Sequence, residues 1–240
     1  VEHSEWATPL VVVPKAGGKI RICGDYKVTV NPQLDINQYP LPVPDELFHM
    51  LNGGQRFSKM DLKDAYMQVE LDEKSRKYTT INTHKGMFEY TRIPFGVASA
   101  PAIFQSTMET TLAGLEGVLV YIDDITVTGP DDRTHLERLE KTLVRLKEAG
   151  FKLKREKCSF LKEEIEFLGH LVNKDGIKPS PDKVKAIKNM PAPRNVKEVE
   201  SFIGMIQYYG KFIPGLSTLA APINGLRKKD VKFLWNKEQQ

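Results

Sequence analysis

No other stretch of this sequence constrains the fold as tightly as Val118-Leu119-Val120-Tyr121-Ile122-Asp123-Asp124-Ile125-Thr126-Val127-Thr128. Apolar, strand-forming residues on both sides of two adjacent carboxylates predict a tight β-hairpin with acid at its tip. Two like charges placed together at a buried tip cost free energy unless a cation neutralises them. Hard divalent ions with oxygen ligands are the usual answer. An isolated Asp-Asp pair is more often a plain solvated turn, so the rest of the chain has to decide between the two.

The chain has 240 residues, 40% of them hydrophobic, enough for one or two cores. Its longest apolar runs, such as Leu10 to Val13 and Val118 to Ile122, are far too short to span a bilayer, and no signal segment opens it. Two cysteines, Cys23 and Cys158, make no disulfide framework and point to a reducing compartment. The five histidines show no zinc spacing with them. Charge is divided: residues 1–137 carry 13 Lys and Arg against 19 Asp and Glu, and residues 138–240 carry 22 against 12. An acidic half followed by a basic half suits metal chemistry beside a polyanion-binding surface. Val1 is not an initiator and a new segment starts near Phe233, as in a piece of a longer polypeptide.

Along the chain, Leu10 to Val13 and Lys19 to Cys23 read as a hairpin around Lys15-Ala16-Gly17-Gly18. Residues 31–44 are a proline-punctuated connector, Asp45 to Leu51 a short helix, Phe57 to Leu62 a strand. Tyr66 to Leu71 and Tyr78 to Asn82 are expected to continue a sheet, Pro94-Phe95-Gly96 to turn, and Ala100 to Leu112 to be helical. Leu136, Leu139, Leu143 and Leu146 predict the apolar face of a helix that Gly150 stops. A hairpin is expected over about Phe151 to Val172, then helices from Pro181. Asn195 with Glu198 reads as a capping box, and Ser217 or Thr218 as the cap of a further helix toward Leu226.

Asp61 ends the Phe57–Leu62 strand about 60 residues before Asp123. Laid beside the hairpin tip, it brings three carboxylates together, a set able to hold two Mg²⁺ roughly 3.5–4 Å apart for in-line phosphoryl transfer. Tyr66, five residues on, is bulky enough to exclude a ribose 2′-OH by contact.

These segments resemble the reverse transcriptase motifs in order and spacing: FSKMDLKDAY around Asp61, IPFGVASAPAIFQ, YIDD, AGFKLKREKC and EFLGH. With PAPRNVKEVESFIGMIQYYGKFI, the chain most resembles the reverse transcriptase region of a gypsy-type LTR retrotransposon Pol polyprotein, with retroviral Pol next. The match runs from Trp6 to about Trp235. The resemblance implies an α+β right-hand polymerase: fingers over 1–36 and 69–98, palm over 37–68 and 99–176, a helical thumb over 177–232, and the start of an RNase H-like domain over 233–240. It implies RNA- and DNA-directed DNA synthesis. Asp61, Asp123 and Asp124 are then the metal ligands for two Mg²⁺, with Mn²⁺ as a substitute and the Leu62 carbonyl as a further ligand. Lys15 and Arg21 clamp the incoming triphosphate, which suits a lysine point charge and an arginine fork. Asp64 and Ala65 offer it backbone N–H groups, Tyr66 is the sugar gate, and Phe95 and Gly96 pack on nucleotide and template. Lys157 protonates the leaving pyrophosphate. Phe167, Leu168, Gly169 and His170 form the primer grip; without the resemblance, Phe167 and Leu168 read as core.

Implied partners are an RNA or DNA template with primer, deoxynucleoside triphosphates, and RNase H and integrase domains of the same polyprotein. No membrane is implied, and the site of action is intracellular, cytoplasmic or in a virus-like particle. The chain departs from the pattern at Phe95, where retroviral relatives commonly have Gln, and at Gly24-Asp25-Tyr26-Lys27, where relatives often read Val-Asp-Tyr/Phe-Arg. Fingers residues that precede Trp6 in relatives are missing. The alternative is a catalytically silent or domesticated nucleic-acid-binding remnant. An RNA-directed RNA polymerase is disfavoured because Tyr66 stands where a second Asp is expected, and no P-loop segment is present.

Overall fold

The computed structural model describes residues 1–35 and 39–239. Two compact units divide at Ile165 and Glu166. In the first, strands β1 (Leu10–Pro14) and β2 (Ile20–Gly24) form a hairpin. Helix α1 (Pro44–Met50) starts with proline in its first turn, where the missing N–H costs nothing. Strand β3 (Arg56–Asp61), helix α2 (Glu73–Arg76) and the hairpin of β4 (Ile81–Thr83) and β5 (Gly86–Phe88) follow. Helix α3 (Ala100–Thr111), strands β6 (Val118–Tyr121) and β7 (Asp124–Gly129), helix α4 (Asp132–Glu148) and strand β8 (Ser159–Lys162) complete the unit.

The central sheet is ordered β6-β7-β3-β8, all antiparallel. Its core joins Met60, Leu62, Phe104, Met108, Ile125, Val127, Leu139 and Leu146. Each such side chain contributes roughly 1.5–3 kcal/mol on burial. The site strand β3 thus lies in the interior of the sheet, where its position is most firmly set.

Strand β9 (Glu164–Phe167) spans the division of the units and pairs in a three-stranded sheet with β10 (His170–Asn173) and β11 (Gly176–Pro179). Helices α5 (Pro181–Lys188), α6 (Val196–Tyr208), α7 (Leu216–Leu219) and α8 (Ala221–Gly225) follow. A small core of Val199, Ile203, Ala220 and Leu226 holds them together. Asn195 caps α6 as expected, its Oδ1 accepting from Glu198 N at 2.9 Å, while Glu198 Oε2 accepts from Arg194 N, the residue before the cap, at 2.7 Å.

Five expectations need correction. Tyr66 to Leu71 is not a strand: Asp64 takes a left-handed conformation (φ +46°) and turns the chain into a short helix, Ala65–Gln68. Helix α4 does not bury all four leucines. Leu136 is 49% and Leu143 36% exposed, while His135 and Thr142 are fully buried beside Leu139 and Leu146. Polar residues belong on that face because each has a partner: His135 Nε2 lies 2.8 Å from Ser58 Oγ, and Thr142 Oγ1 donates to Arg138 O at 2.7 Å. Phe151 to Val172 is not one hairpin, since β8 joins the central sheet and β9 and β10 another. Neither Ser217 nor Thr218 caps a helix; Gly215, with φ +67°, precedes α7. Finally, the acidic hairpin turns one residue earlier than expected. The expected fingers–palm boundary at 36/37 lies outside the described residues. No helix among those described is long and apolar enough to cross a membrane.

Candidate active site

Strand pairing places the acids. Asp61 lies opposite Asp124 across β3 and β7, and Tyr121 opposite Asp124 across β6 and β7. The hairpin loop is therefore Ile122-Asp123, and Asp124 is the first residue of β7. Directly opposed residues of an antiparallel pair point to one face, so the Asp61 and Asp124 carboxylates face each other. That like-charge juxtaposition is offset locally: Lys59 Nζ is 3.0 Å from Asp124 Oδ2 and Lys157 Nζ 2.9 Å from Asp61 Oδ2. Burial raises the pKa of the Asp123 carboxyl, and the charges of Asp124 and Asp61 push it further. The hydrogen bond to Asp61 raises that of Lys157, which keeps its proton.

Among the described residues no group of three or more His, Cys, Asp or Glu side chains is disposed as a ready metal cage. The donor set itself is all oxygen, which suits Mg²⁺ or Mn²⁺ and not zinc. Lys63 N donates to Lys152 O and Lys154 N to Asp61 O, so the Leu62–Leu153 bridge is a pair whose own groups, the Leu62 carbonyl expected as a further ligand among them, point away from that ladder.

Beside the acids, side chains from four segments stack. The Tyr66 ring lies 5.4 Å from Phe95 and 5.5 Å from Phe104, and the Arg21 guanidinium lies 4.3 Å over the Phe95 ring. Arg21 Nε is buried without a hydrogen-bond partner. Burial raises the Tyr66 pKa, Asp123 raises it further, and Arg21 opposes both, so Tyr66 feels the acid and the base together. Phe95 thus forms an aromatic platform between Arg21 and Tyr66. Gly96 has φ +103°, and a Cβ there would meet Gly24 O at 2.8 Å, two separate demands for glycine. At Gly24 a Cβ would meet the Tyr26 ring at 2.7 Å, which explains its departure from Val. Lys15 is exposed at the β1–β2 tip. Asp64 and Ala65 begin the short helix, where the first N–H groups have no intrahelical partner.

Phe167, Leu168, Gly169 and His170 lie in the β9–β10 hairpin, with Phe167 and His170 buried. Leu168 (φ +46°) and Gly169 (φ +74°) form its two-residue loop. Tyr208 Oη donates to Leu168 O at 2.7 Å and Tyr209 Oη to Gly169 O at 3.3 Å, tying the loop to α6.

Three residues escaped the sequence reading. Lys59 neutralises Asp124. Asn31 Nδ2 donates to Gly96 O and its Oδ1 accepts from Ala98 N, both at 2.9 Å, holding the Phe95 loop. Gln105 Oε1 accepts from Ile122 N at 2.6 Å. Lys59, two residues before Asp61 on one strand, carried a readable signal; the other two are long-range contacts.

The model of the family described as Reverse transcriptase (RNA-dependent DNA polymerase) matches residues 13–172. A retrovirus-related Pol polyprotein from transposon 297 of Drosophila melanogaster is 40% identical over 96% of this chain and 22% of its own length. A Tf2-3 transposon polyprotein of Schizosaccharomyces pombe is 33% identical over 97% of this chain and 18% of its own. A foamy viral protease–reverse transcriptase solved in complex with double-stranded DNA superposes with a TM-score of 0.92 at 27% identity, covering 99% of this chain and 42% of that one. The chain thus spans about a fifth of the length of these curated relatives.

Proposed function

The chain belongs to the reverse transcriptase family and has the α+β right-hand polymerase fold, and on that premise we propose that it copies RNA and DNA templates into DNA by adding deoxynucleotides to a primer 3′ end. The observation that carries this reading is Asp61 in register with Asp124, with Asp123 in the adjoining turn. Asp61, Asp123, Asp124 and the Leu62 carbonyl are the groups that would hold divalent ions. Such ions, once bound, lower the pKa of an attacking hydroxyl and neutralise the triphosphate.

The protein's own groups do the rest. Arg21, steadied on Phe95, and Lys15 hold triphosphate oxygens, with backbone N–H groups of Asp64 and Ala65. The Tyr66 ring, braced between Phe95 and Phe104, blocks a 2′-OH. Lys157, kept protonated by Asp61, supplies a proton from Nζ to the leaving pyrophosphate. The Phe167–His170 hairpin holds the primer end. The fingers, palm and thumb ranges read from the sequence are part of this proposal, as is a polyprotein bearing RNase H and integrase domains. Support for nucleic-acid partners comes from neighbours whose structures hold double-stranded DNA or an RNA/DNA hybrid.

Primer extension by the purified chain on RNA and DNA templates with Mg²⁺ or Mn²⁺ tests the reading, beside a longer chain extended at both ends. Asp123→Asn is expected to abolish extension while leaving template–primer binding within roughly threefold, since it removes a charge from the site and little volume. Extension retained by that variant refutes the assignment.

A further inference from the structure

The turn that carries the acids is strained. Ile122, a β-branched residue, has φ +55°, a conformation usually left to glycine. One buried side chain holds it. Gln105 on α3 is fully buried and uses its whole amide: Oε1 accepts from Ile122 N at 2.6 Å, and Nε2 donates to Val120 O at 3.0 Å and to Glu109 Oε1 at 2.7 Å. The amide cannot be turned over, because the flip would set Nε2 against the Ile122 N–H and Oε1 against the Val120 carbonyl. Glu109 is fixed in turn: its Oε2 accepts a short hydrogen bond from the Tyr39 hydroxyl. A series of hydrogen bonds therefore runs from Tyr39, in the proline-rich connector, through Glu109 and Gln105, to the end of β6 and the first residue of the loop that follows it.

We propose that Tyr39, Glu109 and Gln105 are positioning residues that hold the Ile122-Asp123 turn in its strained form and so set where the Asp123 and Asp124 carboxylates stand. The proposal rests on the polymerase reading for its effect on rate, and on geometry alone for its effect on the turn. None of these three side chains is among the groups assigned to nucleotide or primer. Gln105 acts through the backbone on the β6 side of the turn, at Val120 and Ile122, and Glu109 orients Gln105 by taking the second amide proton that would otherwise be buried unpaired. Tyr39 completes the set by engaging the other Glu109 oxygen.

The test uses Gln105→Met, which keeps volume and loses the hydrogen bonds, with Glu109→Leu and Glu109→Gln. Amide exchange at Ile122, followed by NMR, reads the turn directly. Gln105→Met and Glu109→Leu are expected to speed that exchange at least tenfold, and Glu109→Gln, whose amide oxygen still accepts from Gln105 Nε2 while its NH2 can donate to the Tyr39 hydroxyl, to leave it near the parent value. In single-nucleotide incorporation, Gln105→Met is expected to lower kcat roughly 10- to 100-fold, with KM for the nucleotide and template–primer affinity within about threefold, as a small misplacement of reacting groups would. Placed in an Ile122→Gly background, where positive φ carries no strain, the same substitution is expected to cost less than about threefold. An unchanged Ile122 exchange rate, or an equal kcat loss in both backgrounds, overturns the proposal. If Gln105→Met fails to fold, the two Glu109 variants carry the same comparison. Absence of extension by both the parent protein and the chain extended at both ends refutes the polymerase reading, while the exchange measurement still decides the role of the three residues.

Discussion

Phe95→Leu tests the proposed role of the Phe95 ring in holding the nucleotide. In the structure the ring does two things at once: the Arg21 guanidinium lies 4.3 Å above it and the Tyr66 ring 5.4 Å from its centre. Leucine keeps most of the apolar volume and removes the π face. A cation–π contact contributes roughly 0.5–2 kcal/mol, and an aromatic pair about 0.5–1.5 kcal/mol beyond its area. Arg21 Nε has no hydrogen bond to fall back on, so the guanidinium loses its main orienting contact. If about 1–2.5 kcal/mol of this reaches the bound triphosphate, kcat/KM falls roughly 5- to 70-fold. The assay is steady-state incorporation of one nucleotide on a fixed template–primer, with deoxy- and ribonucleoside triphosphates in parallel. Loss of Arg21 support lowers both equally, whereas loosening of Tyr66 raises the ribonucleotide share, so the two contributions are read separately. A folded Phe95→Leu protein with unchanged kcat/KM and unchanged sugar selectivity refutes the platform role.

Tyr66→Val is expected to raise ribonucleotide incorporation by at least tenfold relative to deoxynucleotide, because it removes the ring braced by Phe104 and Phe95; the same competition assay checks it. His135 gives a pH signature: burial lowers its pKa, so between its native value and the unfolded value of about 6.5 the unfolded chain binds more protons. Its stabilising contribution is complete above about pH 6.5 and declines as pH falls below it. Thermal melts from pH 7.5 to 5 should show this decline, and His135→Gln should flatten it. Lys211, Arg227, Lys228 and Lys229 are expected to bind the nucleic-acid backbone. If all four do, affinity drops roughly 100-fold between 50 and 200 mM salt, and Lys229→Ala lowers the slope of log K against log salt by about 0.9. A flat titration by fluorescence anisotropy would place the duplex elsewhere.

Much of this was legible before any coordinates because its signals are local. Alternation and β-branching marked β3, β6 and β7; the Asn195–Glu198 pair marked the start of α6; Pro94-Phe95-Gly96 marked a turn that glycine alone satisfies. Other features were not, and for a common reason. The four leucines of α4 satisfied helical spacing, yet His135 and Thr142 displaced two of them from the interior. Whether a polar residue is buried depends on whether a partner waits for it, and Ser58 lies 77 residues away. The acid-bearing turn shifted by one residue because register is set by pairing with β3 and not by the hairpin's own composition.

By itself, then, the sequence determined strands β3, β6 and β7, the Pro94-Phe95-Gly96 turn, the start of α6 and which acids stand close to one another along the chain, since each of these follows from residues within a few positions of one another. Only the tertiary structure decided how the site is held: Lys157 on Asp61 across 96 residues, Asn31 on Gly96 across 65, Gln105 on Ile122 across 17. Those contacts form because packing closes long loops against their entropy, and no local pattern encodes which distant group will arrive.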